Sequence, residues 1–255
     1  MKENNKPLLK VENLRKKYKD ENEKDNIILD NINLTVEKNE FLCLLGMSGC
    51  GKTTLLRCIA GFEGYEGDVY INDKLESRPN TDRTMVFQDF NQLFPWKTVE
   101  KNIQYPLKQL GIRDKEELKR ISDKYLEKVN LGDRKKHYPH QLSGGMKQRA
   151  AIARSLAVRP KIILMDEPFA SLDAQTRAYL QQELLRIKEK EDMTVIFVTH
   201  NIQEALILGT RVILMGNNKG NFEIDIKPEL KRPVTPETEG FSHYWGMFSS
   251  GLGRK

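Results

Sequence analysis

The apolar positions of this chain follow two periods, and the two fall in different places. Residues 8–18 (LLKVENLRKKY) and 27–36 (IILDNINLTV) alternate apolar with polar, which predicts antiparallel strands with one face buried and one wet. FLCLL (41–45), TMVFQ (84–88), IILMD (162–166), VIFVT (195–199) and VILM (212–215) are short unbroken apolar runs, the pattern of strands covered on both faces. DVYIN (68–72) reads as another outer strand. TTLLRCIA (53–60) predicts a helix that Gly61 stops, and further helices are predicted over 146–158, 175–190 and 201–208. Buried-type strands separated by helices imply a parallel sheet with helices on both sides.

Residues 98–130 break this pattern. They are charged, they repeat apolar positions at helical spacing (Leu118, Ile121, Tyr125, Val129), and they contain no buried-strand run. They predict a helical insertion, about 90–159 with its flanks, inside a core formed by about 1–89 and 160–227. The tail, 228–255, is rich in Pro, Gly and Ser, with scattered Phe241, Tyr244, Trp245 and Phe248, and is the least regular stretch. Those aromatics either pack on the rest of the chain or a twin, or leave the tail mobile.

Composition narrows the class. With 255 residues, 38% apolar and 31% charged, the chain has the make-up of a globular protein large enough to bury a full core. No apolar run approaches the roughly 18 residues that span a bilayer, and MKENNKPLLK lacks the apolar centre of a secretory signal. A cytosolic location is expected. The net charge of +6 is spread along the chain, so it favours solubility over a nucleic-acid stripe. Cys43, Cys50 and Cys58 have neither metal-ligand spacing nor a His cluster, and a disulfide framework is not expected in a cytosolic chain. Cys43 and Cys58 read as small core residues, whereas Cys50 is expected to be accessible.

The chemistry begins at GMSGCGKTT (46–54). Gly46, Gly51, Lys52 and Thr53 satisfy the phosphate-loop spacing, with a buried strand before and a helix after. The glycines let backbone N–H groups curl around a phosphate, and the helix start adds its positive end. Lys52 supplies a point charge to the β- and γ-phosphates, and the Thr53 hydroxyl can ligate Mg2+. Ser48, Gly49, Cys50 and Thr54 complete the cradle. The alternative, a glycine-rich tight turn with a chance lysine, does not account for the flanking elements. Nor does a dinucleotide fingerprint fit, because the third glycine is missing.

Downstream, Asp166 ends a buried strand, where ligands sit in open parallel sheets. Asp166 is a candidate Mg2+ ligand, and Glu167 can orient and deprotonate an attacking water. His200 ends VIFVTH and could reach a γ-phosphate; Gln88 ends TMVFQ and could touch Mg2+ or water. Each of these also has an ordinary structural reading as a strand-end residue. Ser143, Gly144 and Gly145 open a predicted helix, either as a simple N-cap or as a second anion site.

The octapeptide LSGGMKQR (142–149), lying between a phosphate loop and an Asp-Glu strand end, resembles the signature of the ATP-binding cassette (ABC) ATPases. The resemblance covers roughly residues 8–216. It implies an α/β fold of the P-loop NTPase (RecA-like) kind, with a parallel sheet core, an antiparallel β subdomain and an inserted helical subdomain. It also implies a homodimer holding two ATP, each between the phosphate loop of one copy and Ser143-Gly144-Gly145 of the other. Tyr18 is then placed like the aromatic that stacks on adenine, Gln88 like the glutamine loop and His200 like the switch histidine. Ala170 to Asp173 is similar to the D-loop, with Ser171-Leu172 standing where many members have Ala-Leu.

QDFNQLFPWKTVEKNI (88–103) and PFASLDAQTR (168–177) look like importer ATPases of the nitrate, sulfonate, taurine and bicarbonate group, and members related to those for aromatic acids or thiamine precursors look similar. That implies transmembrane permease partners, an extracytoplasmic solute-binding protein acting indirectly, no nucleic acid, and a place on the cytoplasmic face of the membrane. Phe94 and Trp96 either meet a permease helix or anchor the helical insertion. A soluble ABC ATPase acting on nucleic acid or ribosomes is the alternative. A P-loop kinase would leave LSGGMKQR unexplained.

Overall fold

The two hydrophobic periods become two kinds of sheet. In chain order the elements are β1 (Leu9–Lys19), β2 (Asp25–Val36), β3 (Phe41–Gly46), α1 (Lys52–Ala60), β4 (Glu66–Ile71), β5 (Lys74–Leu75), β6 (Arg83–Val86), α2 (Val99–Gln109), α3 (Lys115–Lys128), α4 (Gly144–Ala157), β7 (Ile162–Asp166), α5 (Ala174–Lys190), β8 (Thr194–Thr199), α6 (Ile202–Leu208), β9 (Arg211–Met215), β10 (Phe222–Ile226) and α7 (Phe241–Leu252). The structure, a computed structural model, describes residues 6–19, 23–216 and 218–253, without the side chain of Phe90. The chain divides into two units, Met1–Asn80 with Thr194–Lys255, and Thr81–Met193.

In the first unit the alternating segments form an antiparallel sheet in the order β2-β1-β4-β5. Its register sets Leu9 against Val36 and Val11 against Leu34, so apolar residues of both strands share one buried face. The unbroken runs form the other sheet. There β3 lies between β8 and β9, parallel to both, and β10 adds to β9 antiparallel. Every residue of β3 and β8 is buried, as a strand covered on both faces requires. Helix α1 packs on β3 and β8, and α6 packs on the same two strands.

The C-terminal segment is more ordered than its composition suggests. β10 and α7 both lie outside the elements expected from sequence. Helix α7 reads FSHYWGMFSSGL, whose glycines and serines are weak helix formers. Packing decides the matter: α7 lies on α6, β9 and β10, with Phe241 and Phe248 buried two turns apart. Before it, the Arg232 guanidinium donates to Ile207 O at 2.7 Å and to Gly209 O, taking carbonyls that the end of α6 leaves open.

In the second unit β6 and β7 pair in parallel. Helices α2, α3 and α4 pack on one another, burying Leu118, Tyr125 and Val129, while Ile121 is half-buried. The Tyr125 hydroxyl donates to Glu191 Oε2 at 2.6 Å, and its burial pushes the phenol well above its ordinary range. Thr98 and Asp114 cap α2 and α3, accepting from Lys101 N and Glu116 N. Two boundaries differ from expectation. Helix α4 starts at Gly144, not 146, because Ser143 Oγ accepts from Met146 N and draws both glycines into the first turn. β6 ends at Val86, not 88, because the peptide of Phe87 is engaged by the side chain of Gln92.

Phe248→Ala should destabilise the protein by about 3 kcal/mol or more, as for other fully buried aromatics. Trp245→Ala, at a position 46% exposed, should cost no more than about 0.5 kcal/mol. Denaturant unfolding of the two variants checks this; equal effects would show that α7 contributes nothing to the core.

Candidate active site

The phosphate-loop candidates leave the carboxyl end of β3. Gly49 and Gly51 have φ of 86° and 102°, a region costly for residues with a Cβ. At Gly51 a Cβ would also stand 2.8 Å from Leu29 Cδ2, so glycine is required there twice over. Gly51 stands at the N-cap of α1 and offers no side chain to cap the first turn. An anion seated there would receive the N–H groups of that turn, together with the positive end of the helix.

Lys52 is 5% exposed. Its Nζ donates to Gly46 O at 2.8 Å and Met47 O at 2.7 Å, and lies 3.8 Å from Cys50 Sγ. A buried ammonium is tolerable only with such partners, and carbonyl dipoles supply them without a counter-charge. The charge of Lys52 therefore stays uncompensated by any carboxylate in these bonds.

Cys50 is not the accessible thiol expected from sequence. It is 4% exposed, and its sulfur lies 2.8 Å from where a Gly46 Cβ would stand. The loop turns this side chain inward, so only the Cys50 backbone can face a phosphate. Cys43 and Cys58 are buried as expected; burial pushes the Cys43 thiol far up and the Cys58 thiol to about 12.

Parallel register places His200 beside this loop. Leu45 is paired with Thr199, so Gly46 and His200 follow at the same edge of neighbouring strands. The turn carrying His200 is braced on its far side. The Thr199 hydroxyl donates to Glu204 Oε2 at 2.7 Å, Asn201 N donates to Thr199 Oγ1 at 3.0 Å, and Asn201 Oδ1 accepts from Glu204 N at 3.2 Å. Sequence reasoning missed Glu204. Its signal was an acidic residue beside Ala205 on the inward side of an apolar helix, and it is 7% exposed. Tyr18 lies on β1, in the antiparallel sheet, 38% exposed, with Lys16 Nζ 4.6 Å from its ring centre.

The second unit repeats the arrangement. Val86 is paired with Met165, so Gln88 and the Asp166-Glu167 pair leave neighbouring strands at one edge. Asp166 is 3% exposed, while Gln88 is exposed and Glu167 half-buried. Glu167 has φ of 45°, a left-handed conformation that Asn and Asp adopt far more readily than Glu. Here the chain turns at once out of the strand, and Ala170 N returns to Glu167 O at 3.2 Å. Asp173 caps α5, accepting from Thr176 N at 2.9 Å; that N–H and the Thr176 hydroxyl hold its carboxyl below the usual range.

Ser143 is a helix cap in fact, and Gly144 and Gly145 form the first turn of α4. A Cβ at Gly145 would stand 3.0 Å from Leu172 Cδ2, so the start of α4 lies against the Ser171-Leu172 turn. The two aromatics differ in their surroundings. Phe94 is held by Tyr105 at 4.9 Å, edge to face, and by the Arg154 guanidinium at 5.7 Å. Trp96 stands 70% exposed.

The donor set suits a phosphate-bound magnesium. Among the described residues no group of three or more His, Cys, Asp or Glu forms a cage. Mg2+ needs none, because it keeps waters and takes one or two protein oxygens beside the phosphates. Within the second unit the buried carboxylate of Asp166 is an oxygen of that kind. Among the described residues no helix is long and apolar enough to cross a membrane.

Residues 29–170 match the family described as ABC transporter. The chain is 48% identical over 92% of its length to an uncharacterized ABC transporter ATP-binding protein of Methanocaldococcus jannaschii, covering 88% of that protein. It is 42% identical over 84% of its length to the aliphatic sulfonates import ATP-binding protein SsuB of Bacillus cereus, covering 84% of it. A nitrate import ATP-binding protein, NrtD of Synechococcus elongatus, is 44% identical over 75% of this chain and 70% of its own. Among solved structures, a dimeric ATP-binding cassette in a post-hydrolysis state with ADP and Pi superposes with a TM-score of 0.78 at 35% identity, covering 86% of this chain and 98% of that one.

All three thiols should resist an aromatic disulfide reagent in the native protein and react together in denaturant. Rapid reaction of one thiol before unfolding, mapped to Cys50, would contradict the inward placement of that side chain.

Proposed function

From the premise that this chain belongs to the ABC transporter family and is an ATPase of that family, we propose that it is the ATP-hydrolysing subunit of an importer. Two copies hold two ATP, each gripped by the phosphate loop of one copy and the Ser143-Gly144-Gly145 turn of the other. The observation that carries the reading is strand register. Leu45 opposite Thr199 sets the phosphate loop beside His200, and Val86 opposite Met165 sets Gln88 beside Asp166 and Glu167. Ligands of parallel sheets are bound at such strand ends, which supports phosphate-binding and water-handling roles for these residues.

The residues divide the work. Backbone N–H groups from Ser48 to Thr54 cradle the phosphates, and Lys52 leaves its loop carbonyls for the β- and γ-oxygens. Tyr18 offers its ring to adenine. Thr53, Asp166 and Gln88 are the residues that would hold Mg2+, which would neutralise phosphate charge. Glu167 orients water and takes its proton, and His200 donates to the γ-phosphate. Ser143 and Gly145 close the far side and exclude water, and Asp173 lies at the facing surface. Because ATP binds the closed pair more tightly than the open one, hydrolysis reopens it.

The transport partner is a transmembrane permease on whose cytoplasmic face the subunit sits, with Trp96 and its neighbours as the docking aromatics. The sulfonate and nitrate relatives support a small anionic or organic solute, delivered by an extracytoplasmic binding protein. The basic residues are spread along the sequence, which supports this reading over a nucleic-acid or ribosomal target.

Glu167→Gln should retain ATP binding and lose about 100-fold or more in steady-state turnover. Turnover near that of the parent would remove Glu167 as the base. A mixture of Lys52→Ala and Ser143→Ala subunits should regain turnover above either alone, since one pocket of the mixed dimer has both intact halves. No gain, with the subunits still associating, would dismiss the shared pocket.

A further inference from the structure

The segment after β6 carries Gln88, and the pairing of β6 with β7 ends at Val86 opposite Met165. Its peptide groups are held by two glutamine side chains. Phe87 N donates to Gln92 Oε1 at 3.2 Å, and Gln92 Nε2 donates back to Phe87 O at 3.0 Å and to Asp89 O at 2.9 Å. A single side-chain amide thus engages the chain where that pairing has ended, one residue before Gln88.

The second glutamine comes from α4. Gln148 is 1% exposed, in a helix otherwise built around Ala150, Ala151 and Ala153. Its Nε2 also donates to Phe87 O, at 3.1 Å, and its Oε1 accepts from Gln92 Nε2 at 3.4 Å. Burying an amide is unfavourable unless its hydrogen bonds are met, and leucine would fill the space at less desolvation cost. Two turns on, Arg154 donates to Gln92 O at 2.9 Å and stacks on Phe94. Side chains of α4 therefore grip the loop from Phe87 to Phe94 at several points.

We propose that Gln148 and Gln92 are positioning residues that tie the Gln88 loop to α4, so that Gln88 and the Ser143-Gly145 turn move as one piece. The proposal rests on the shared-pocket reading above. In that reading Gln88 faces the nucleotide of its own copy and Ser143 faces the nucleotide of the other. The amide link then makes occupancy of one pocket felt at the second. Phe94 and Trp96, on the same loop, bring any partner that presses there onto the same lever.

The test uses the full chain and the variants Gln148→Leu, Gln92→Leu and the double. In Gln148→Leu, Phe87 O keeps its Gln92 donor, so the fold should survive; if Gln92→Leu unfolds, Gln148→Leu decides alone. Fluorescent ATP-analogue affinity and Tm should stay close to the parent. The kcat should fall about tenfold with little change in KM, the size of a typical coupling between sites. The double variant should be no worse than the worse single, because both act through one link. In a Glu167→Gln background, the ATP concentration that half-dimerises the protein should rise about tenfold in Gln148→Leu. A merely structural glutamine would lower Tm and leave that midpoint in place. Variants with the parent's kcat and midpoint, or losses that multiply in the double, overturn the inference alone. A parent that neither hydrolyses ATP nor dimerises on nucleotide overturns the shared-pocket reading, and this inference with it.

Discussion

Parallel pairing is the constraint on which the candidate site depends. Two parallel strands in register end together, and the loops that follow start side by side. β3 with β8, and β6 with β7, each end this way. Within each unit, residues distant in sequence thereby leave neighbouring strands together, Gly46 with His200 in the first and Gln88 with Asp166 in the second. The covering on both faces makes these strands nearly all apolar, so the first polar residues appear where the strands stop. That is why Lys52, Asp166 and His200 all stand just at or past the end of an apolar run.

Once polar groups are buried at such an edge, each needs a partner, and the partners explain much of the local structure. Lys52 takes two loop carbonyls. The Thr199–Glu204 bond fixes the turn behind His200, and Gln148 is met from both ends by the Phe87–Gln92 segment. None of these relies on an exposed ion pair, the weakest kind of contact in water. They are directional bonds in poorly solvated surroundings, which hold geometry better than they add stability.

The C-terminal segment follows another logic. Few of its residues favour a helix on their own, yet Phe241 and Phe248 find room on β9, β10 and α6. Arg232 then closes the carboxyl end of α6, the helix that begins beside His200. The tail is therefore part of the first unit's packing.

The alternating outer strands, the unbroken inner strands and the positions of the glycine-rich loop, the Asp-Glu strand end and the serine-glycine helix start were legible in the residues, while β5, β10 and α7 were not. Each depends on spacing within a few positions, set by local backbone geometry and short-range periodicity. What needed the fold were the pairings between distant segments: the inward turn of Cys50, the early end of β6, the helix in the glycine- and serine-rich tail, and the meeting of Gln92 with Gln148. An apolar or polar residue announces that it must be buried or bonded, but not with what. The partner depends on which surfaces packing brings together, and that is decided by the whole chain at once.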